Sequence, residues 1–338
     1  MMHLFTDDEA ILAKLSEKGN PLDRLDKVID WSQFEPVLTT IFSNTSRNRA
    51  KGGRPNLDFM MMFKVLLLQR LHNLSDDAME YQLLDRLSFC RFVGCDNRHV
   101  PDAKTIWLYR DRLTKSGKER ELFDQFYLSL AGEGLIAHRG QIVDASFVEA
   151  PKQRNSREEN ALIKSGKKPE HWNKAKSSQK DRDAHWTQKG GQNYFGYKNH
   201  VCVDAKSKLI KDFEVTTASV HDSQILAQIC ETSEVIFDDS AYNNQPVPEN
   251  CAHYSSRRAY RNKPLTEMDK KVNRKIARIR CRIEHIFGFI ETSMKGSTYR
   301  GIGIARAKTN ITLTNLLYNL CRFEQIKRLN LASWVKTA

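Results

Sequence analysis

QIVDASFVEA, residues 141–150, alternates β-branched or aromatic residues with polar ones, the period of two expected of a strand, and it places an acid, Asp144, inside that strand. Working outward from it, NYFGYKNHVCVD (193–204), KLIKDFEVTTAS (208–219) and EVIFDDSAY (234–242) carry the same signal, so a sheet is expected from about Gln141 to Ala241, with HDSQILAQIC (221–230) as a helix between strands. The segment 152–190 breaks this pattern. It is rich in Lys, Arg, Ser, Asn and Gln, carries Trp172 and Trp186, shows no clear strand period, and is expected to be an insertion or a mobile basic loop.

On the N-terminal side the period changes to that of helices. Pro55 precedes FMMMFKVLLLQRL (59–71), Ser75-Asp76-Asp77 caps a helix through YQLLDRLSF (81–89), Pro101-Asp102 starts a third, and LFDQFYLSL (122–130) forms a fourth. The third carries Trp107, Arg110 and Arg112 and reads either as a DNA-contacting element or as a packing helix with ordinary surface arginines. On the C-terminal side the cleanest helix spans Thr266 to Ile290. Thr266 and Asp269 are spaced for its N-terminal cap, and apolar residues recur every three or four positions with Arg and Lys opposite. A last helix, TNITLTNLLYNLCRFEQI (309–326), is expected to pack back onto the core. There is no internal repeat and no heptad pattern.

The expected architecture is therefore an all-helical N-terminal domain, 1–135, and an α+β or α/β domain, 136–330, with a mixed sheet flanked by helices and the basic insertion at about 152–190. The 338 residues, 40% hydrophobic with 16 Gly and 9 Pro, suffice for a sizeable core and exclude collagenous or low-complexity chains. The net charge of +13 is concentrated: residues 151–198 and 257–300 carry +7 and +9, while the rest is net −3. Lys and Arg at that density point to a polyanion, with nucleic acid first. The 7 Cys are an odd number without a two-residue-gap pair, which fits a reducing compartment, and the N-terminal MMHLFTDDEA lacks secretory character. A soluble cytoplasmic protein, with no membrane partner, is expected.

Three acids stand out: Asp144 inside the first strand, Asp239 after the fourth, and Glu284 at the margin of the late helix's apolar stripe. If they converge, they supply the oxygens and negative charge that bind two hard divalent cations, as phosphodiester chemistry requires. The competing reading makes Asp144 a turn acid, Asp239 a cap for SAYNN, and Glu284 the ion-pair partner of Arg280 one helical turn earlier. His221 either touches a phosphate or is structural. Lys198 is a candidate backbone-phosphate contact or a solvated edge lysine. Trp172 and Trp186 either stack on unpaired bases or anchor their loop.

Taken in order, VDASFVEAP, NYFGYKNHVCVD, SVHDSQ, FDDSAY and RIRCRIEHIFGFIE resemble the catalytic core of bacterial insertion-sequence DDE transposases of the insertion sequence five group, which has a ribonuclease-H-like fold. NLSDDAMEYQLLDRLSFCRFVG and VPDAKTIWLYRDRL are similar to that group's helical N-terminal domain. The resemblance implies a catalytic triad of Asp144, Asp239 and Glu284 holding two Mg²⁺ ions, with Mn²⁺ as a substitute. Asp238 is the rival for the second place. Double-stranded DNA is the implied partner and a homo-oligomer the implied assembly. The family's signature around the third acid (tyrosine, two residues, arginine, three residues, glutamate, six residues, lysine) is matched by Arg280 and Glu284, whereas Ala277 and Glu291 occupy its other two positions. Arg282 and Lys295 are the candidate substitutes in contacting DNA, beside Arg280, Lys198, Arg110 and Arg112. The altered signature leaves two alternatives: a catalytically inactive DNA-binding regulator, or a metal-dependent nuclease without strand transfer.

Overall fold

The computed structural model describes residues 4–43, 56–96, 99–232, 234–242, 245–261 and 263–335, and the chain divides into two units. The first comprises Met1–Gly132 and Thr312–Ser333, the second Glu133–Ile311 and Trp334–Ala338. The segment 312–333 thus groups with the N-terminal helices, not with the sheet that precedes it.

The first unit holds α1 (Leu4–Glu17), α2 (Pro21–Val28), α3 (Glu35–Phe42), α4 (Phe59–Leu71), α5 (Asp76–Asp85), α6 (Leu87–Val93), α7 (Ala103–Ser116) and α8 (Glu119–Gly132). Short polar side chains start these helices by accepting otherwise unpaired N–H groups: Asp58 from Met61, Ser75 from Ala78, and Asp102 from Thr105. Pro55, the expected lead into α4, lies outside the described residues. The helix expected to run through YQLLDRLSF is broken at Arg86, which is extended (φ −111°, ψ 107°). Met79 and Leu83 before the break, and Phe89, Cys90, Phe92 and Val93 after it, cover too wide an arc for one helix to bury on a single stripe. The core is aromatic, with Phe34 against Phe63 at 5.1 Å and Phe42 against Tyr109 at 4.9 Å. Phe323 of the C-terminal segment meets Phe126 edge-on, so that helix does return to the core.

The second unit holds β1 (Gln141–Glu149), α9 (Arg157–Lys164), α10 (Lys174–Ser178), β2 (His185–Lys189), β3 (Gln192–Asp204), β4 (Ile210–Thr217), α11 (Leu226–Ile229), β5 (Ile236–Asp238), β6 (His253–Ser255), α12 (Glu267–Gly288) and the first turns of α13 (Ile304–Arg328). The sheet order is β2-β3-β1-β5-β6, with β4 also on β3. β1 runs antiparallel to β3 and parallel to β5. This is the mixed sheet flanked by helices of the ribonuclease-H-like class. One face carries Val143, Cys202, Ile236 and Tyr242 against Ile225, Leu226 and Ile229, and α12 packs on β1 and β5. Gly196 lets β3 press against β1. Its φ is +147°, and a Cβ there would lie 2.3 Å from the Val148 carbonyl oxygen.

The 152–190 segment is structured rather than a loose loop. Ser156 and Glu159 form a reciprocal capping box at α9, and β2 joins the sheet through a tight turn in which Gly190 and Gly191 both have positive φ (59° and 81°). No helix among the described residues is long and apolar enough to cross a membrane.

Candidate active site

The register of the parallel pair sets the geometry. Gln141 is opposite Ile236 and Ile142 opposite Phe237, so the same register, continued, brings Asp144 level with Asp239 one residue beyond β5. Side chains level with one another on parallel strands share a face, and Val143 and Asp238 share the other. Each acid spends one oxygen locally: Asp144 Oδ1 accepts from the Ala145 N–H (2.8 Å) and Asp239 Oδ1 from the Ala241 N–H (2.7 Å). The other Asp144 oxygen accepts from Arg280 of α12 at 3.3 Å. Burial above all raises the Asp144 carboxyl above its ordinary range. The Ala145 N–H and the Arg280 and Lys189 cations pull it back, while the Asp239 charge pushes it further up.

Asp238 is committed elsewhere. It is fully buried, and its two oxygens receive His253 Nε2 at 2.6 Å and Ser255 Oγ at 2.5 Å from β6. The alternation that separates it from Asp239 turns it to the far face of the sheet. Tyr242 is buried just beyond Asp239, with no hydrogen-bond partner for its hydroxyl among the described residues. Its ionisation is pushed up by burial first and then by the charges of Asp222, Asp144, Asp239 and Asp238.

Glu284 is exposed on α12, one turn after Arg280, and Arg280 pairs with Asp144 instead of with Glu284. The three acids are not drawn together within one ion's ligand distance. Among the described residues, the group whose ligand atoms lie within 4.8 Å of one another is His138, Glu231 and Glu234. That group precedes β1 and β5, at the opposite end of the strands from Asp144 and Asp239. Lys211 already sits on its two carboxylates at 2.6 and 2.7 Å, so a buried ammonium already offsets part of its negative charge. Asp144 and Asp239 offer hard oxygen donors to a hard divalent cation, and the Arg280 guanidinium on Asp144 marks where positive charge is wanted. In that sense the residues fit a metal.

The other expected site residues fall into two groups. Lys198 is buried, donating to the Val220 carbonyl (2.7 Å) and Asp222 (2.8 Å), so it faces no phosphate. Asp222 is that lysine's counter-ion, and the exposed His221 caps the turn by accepting from the Ser223 N–H. Trp172 is buried, its indole N–H donating to Glu159 at 2.6 Å, which makes it an anchor of the insertion and not a stacking platform. Glu159 also receives His171 and Lys176. Arg110 is tied to Asp76 and Gln69, and Arg112 donates to the Phe42 carbonyl. Arg282 donates to the Ala205 carbonyl. By contrast Trp186, on β2, is 42% exposed, and Lys295 and Trp107 are exposed as well.

Sequence reasoning missed Lys189, whose charge reaches Asp144, and the grouping of buried Lys198 and His200 with half-buried Asp222. His200 Nε2 bonds Thr216 at 2.8 Å, and burial chiefly lowers its imidazole to about 4. The double glycine after Lys189 was the available signal for the hairpin that positions that lysine.

Comparison with known families gives two matches. Residues 136–320, more than half of the chain, match the family model described as Transposase DDE domain, and residues 9–112 match Transposase domain (DUF772). No solved structure matches the chain.

Proposed function

The chain belongs to the DDE transposases, and from that premise we propose that it binds the ends of its own insertion element, cuts the phosphodiester there, and joins the freed 3′-hydroxyl to target DNA. Asp144, Asp239 and Glu284 are the proposed ligands of two Mg²⁺ ions, with Mn²⁺ able to replace them. When bound, such ions lower the pKa of an attacking water or hydroxyl and stabilise the leaving oxygen. The observation that carries the reading is the β1–β5 register, which sets Asp144 level with Asp239 under the helix that bears Arg280 and Glu284.

The chain's own residues have separable roles. Asp144 and Asp239 keep their ligand oxygens aimed because the Ala145 and Ala241 N–H groups hold the other oxygens. Arg280 neutralises Asp144 until the site is assembled, and then is free to take a phosphate oxygen beside the acids. Exposed Glu284 reaches the pair by a change of side-chain rotamer or a small shift of α12. Lys189 and Lys295 offer backbone-phosphate contacts, and Trp186 offers a face for an unpaired base. Pairing two DNA ends calls for a homo-oligomer.

The test is cleavage of end-bearing DNA with Mg²⁺ by the wild type and by Asp144→Ala, Asp239→Ala and Glu284→Ala. The proposal expects DNA binding in all four and cleavage only in the wild type; equal activity in all four contradicts it. Ala277 and Glu291 at two signature positions support a second reading, a DNA-binding regulator without catalysis. That reading expects binding without cleavage in the wild type too. A nuclease lacking strand transfer would cleave but give no joined product.

A further inference from the structure

Two helices of the first unit turn large apolar side chains to solvent on one face. α5 and α7 lie side by side and antiparallel: Asp76, at the start of α5, pairs with Arg110 in the second half of α7, and Glu80 Oε2 accepts from the Ala103 N–H where α7 begins (2.7 Å). Asp77, Tyr81, Leu84 and Asp85 form a stripe on α5 at i, i+4, i+7 and i+8, and Lys104, Trp107 and Leu108 form one on α7 at i, i+3 and i+4. Each stripe is exposed and lies opposite its helix's buried residues, Met79 and Leu83 on α5 and Ile106 and Leu113 on α7. Both therefore point away from the core that the two helices share, and they open onto the same side. Tyr81, Leu84, Trp107 and Leu108 are 45–63% exposed there. One such residue is ordinary, but four together, including Tyr and Trp, have the composition of a protein interface.

The charges on this face are misplaced for the fold alone. Asp85 ends α5, where the macrodipole disfavours an anion, and Lys104 lies in the first turn of α7, where it disfavours a cation. The face also has no surplus of positive charge to hold a polyanion. Arg110 and Arg112 are tied to Asp76 and to the Phe42 carbonyl, and Lys115 is paired with Asp111. What remains is an acidic stripe on one helix beside a lysine on the other.

We infer that this face is where two copies of the chain meet, an inference that takes the need for a second copy from the reading above, in which two DNA ends are held together. A two-fold axis parallel to the helices lays the second copy's α5 across α7, forms a four-helix cluster, and sets Lys104 of each copy against the acidic stripe of the other. Lys104 then faces the negative end of an α5, and Asp85 the positive end of an α7, which relieves both misplacements. An axis across the helices would instead set α5 on α5, acid against acid. At 1.5 Å per residue the longer helix spans about 21 Å, and two helices ~10 Å apart present a face about 20 Å wide. That is the small end of specific interfaces, so a dimer of micromolar strength is expected.

Sedimentation equilibrium of the full-length protein across the micromolar range, without DNA or metal, tests this. The proteins are the wild type, Asp144→Ala, Lys104→Glu and Asp77→Lys/Asp85→Lys. The inference expects the wild type and Asp144→Ala to dimerise alike, and each charge variant to dimerise at least about tenfold more weakly, because like charges then face each other at both symmetry-related edges. Mixing the two charge variants one to one should restore the dimer, since every changed charge then meets its opposite. Charge variants that dimerise like the wild type, a mixture that stays monomeric, or a wild type monomeric throughout overturns the inference and leaves the cleavage reading standing. This charge behaviour in a protein that never cleaves DNA supports the face and removes the catalytic reading. A fall in DNA affinity with the dimer unaltered assigns the face to DNA and overturns the inference. Should a charge variant fail to fold, judged by circular dichroism, Tyr81→Ser/Leu108→Ser decides: an unweakened dimer overturns the inference.

Discussion

Replacing Asp239 by Asn removes one negative charge from beside Asp144 and leaves the local backbone in place, because an Asn oxygen accepts the same Ala241 N–H that Asp239 accepts at 2.7 Å. Neighbouring strands lie about 5 Å apart, and two unit charges at that separation repel by ~3 kcal/mol at an effective dielectric of about 20. Solvent at the partly exposed Asp239 and the Arg280 charge on Asp144 reduce this, so a net gain of about 1–2 kcal/mol is expected. For a unit of this size each kcal/mol moves the melting temperature by about 2–4 °C. Asp239→Asn should therefore melt about 2–8 °C above the wild type in EDTA, while losing cleavage. Saturating Mg²⁺ should raise the wild type and leave the variant nearly unmoved, because ligand binding stabilises only the protein that binds it.

The pH dependence follows the same logic. Burial, with Asp239 adding to it, raises Asp144 above 3.8, so the folded state holds that proton more tightly than the unfolded chain. Stability in EDTA thus falls as pH rises from 3.8 through the raised value, and falls less in Asp239→Asn. Scanning calorimetry with and without Mg²⁺ measures both effects. A variant that melts at or below the wild type in EDTA, or that gains as much from Mg²⁺, refutes the reasoning.

Three further outcomes are expected. Lys198→Met strands the Asp222 carboxylate, whose side chain is 15% exposed, without its partner. Urea titration should show a loss of about 3–5 kcal/mol, most of it recovered by adding Asp222→Asn. His200 is held neutral, its imidazole lowered from 6.5 to about 4 chiefly by burial, so the unfolded chain takes up the proton first as pH falls. Wild-type stability should drop by ~3 kcal/mol more than that of His200→Gln between about pH 6.5 and about pH 4, a difference that calorimetry across that range resolves. Glu159 is held far below the usual carboxylate range by Trp172 first, then by the Ser156 N–H, Lys176 and His171. Its stabilisation is present above the unfolded value and is lost as pH falls through the folded one. Glu159→Gln should loosen the insertion at neutral pH, seen as faster proteolysis within residues 152–184 and altered Trp172 fluorescence.

Much of this architecture was legible in the chain. The alternation around Asp144 gave β1, and Thr266 and Asp269 gave the start of α12. What escaped was whatever depends on partners distant in sequence. β3 is buried on both faces over its C-terminal half, so Lys198 and His200 lie inside, where a lone strand reads them as edge residues. Trp172 looked available until Glu159, on α9, took its indole N–H. β6 spans three residues, too short for a period to register. The insertion's order was hidden by its charge, although its double glycine announced a hairpin.

The central claim is that Asp144 and Asp239 share a divalent metal with Glu284 drawn in beside them. Anomalous diffraction from crystals grown with Mn²⁺ and a DNA end tests this most directly. The account predicts metal density between the Asp144 and Asp239 carboxylates, with Glu284 turned toward it. Density confined to His138, Glu231 and Glu234, with Asp144 still paired to Arg280, would contradict it.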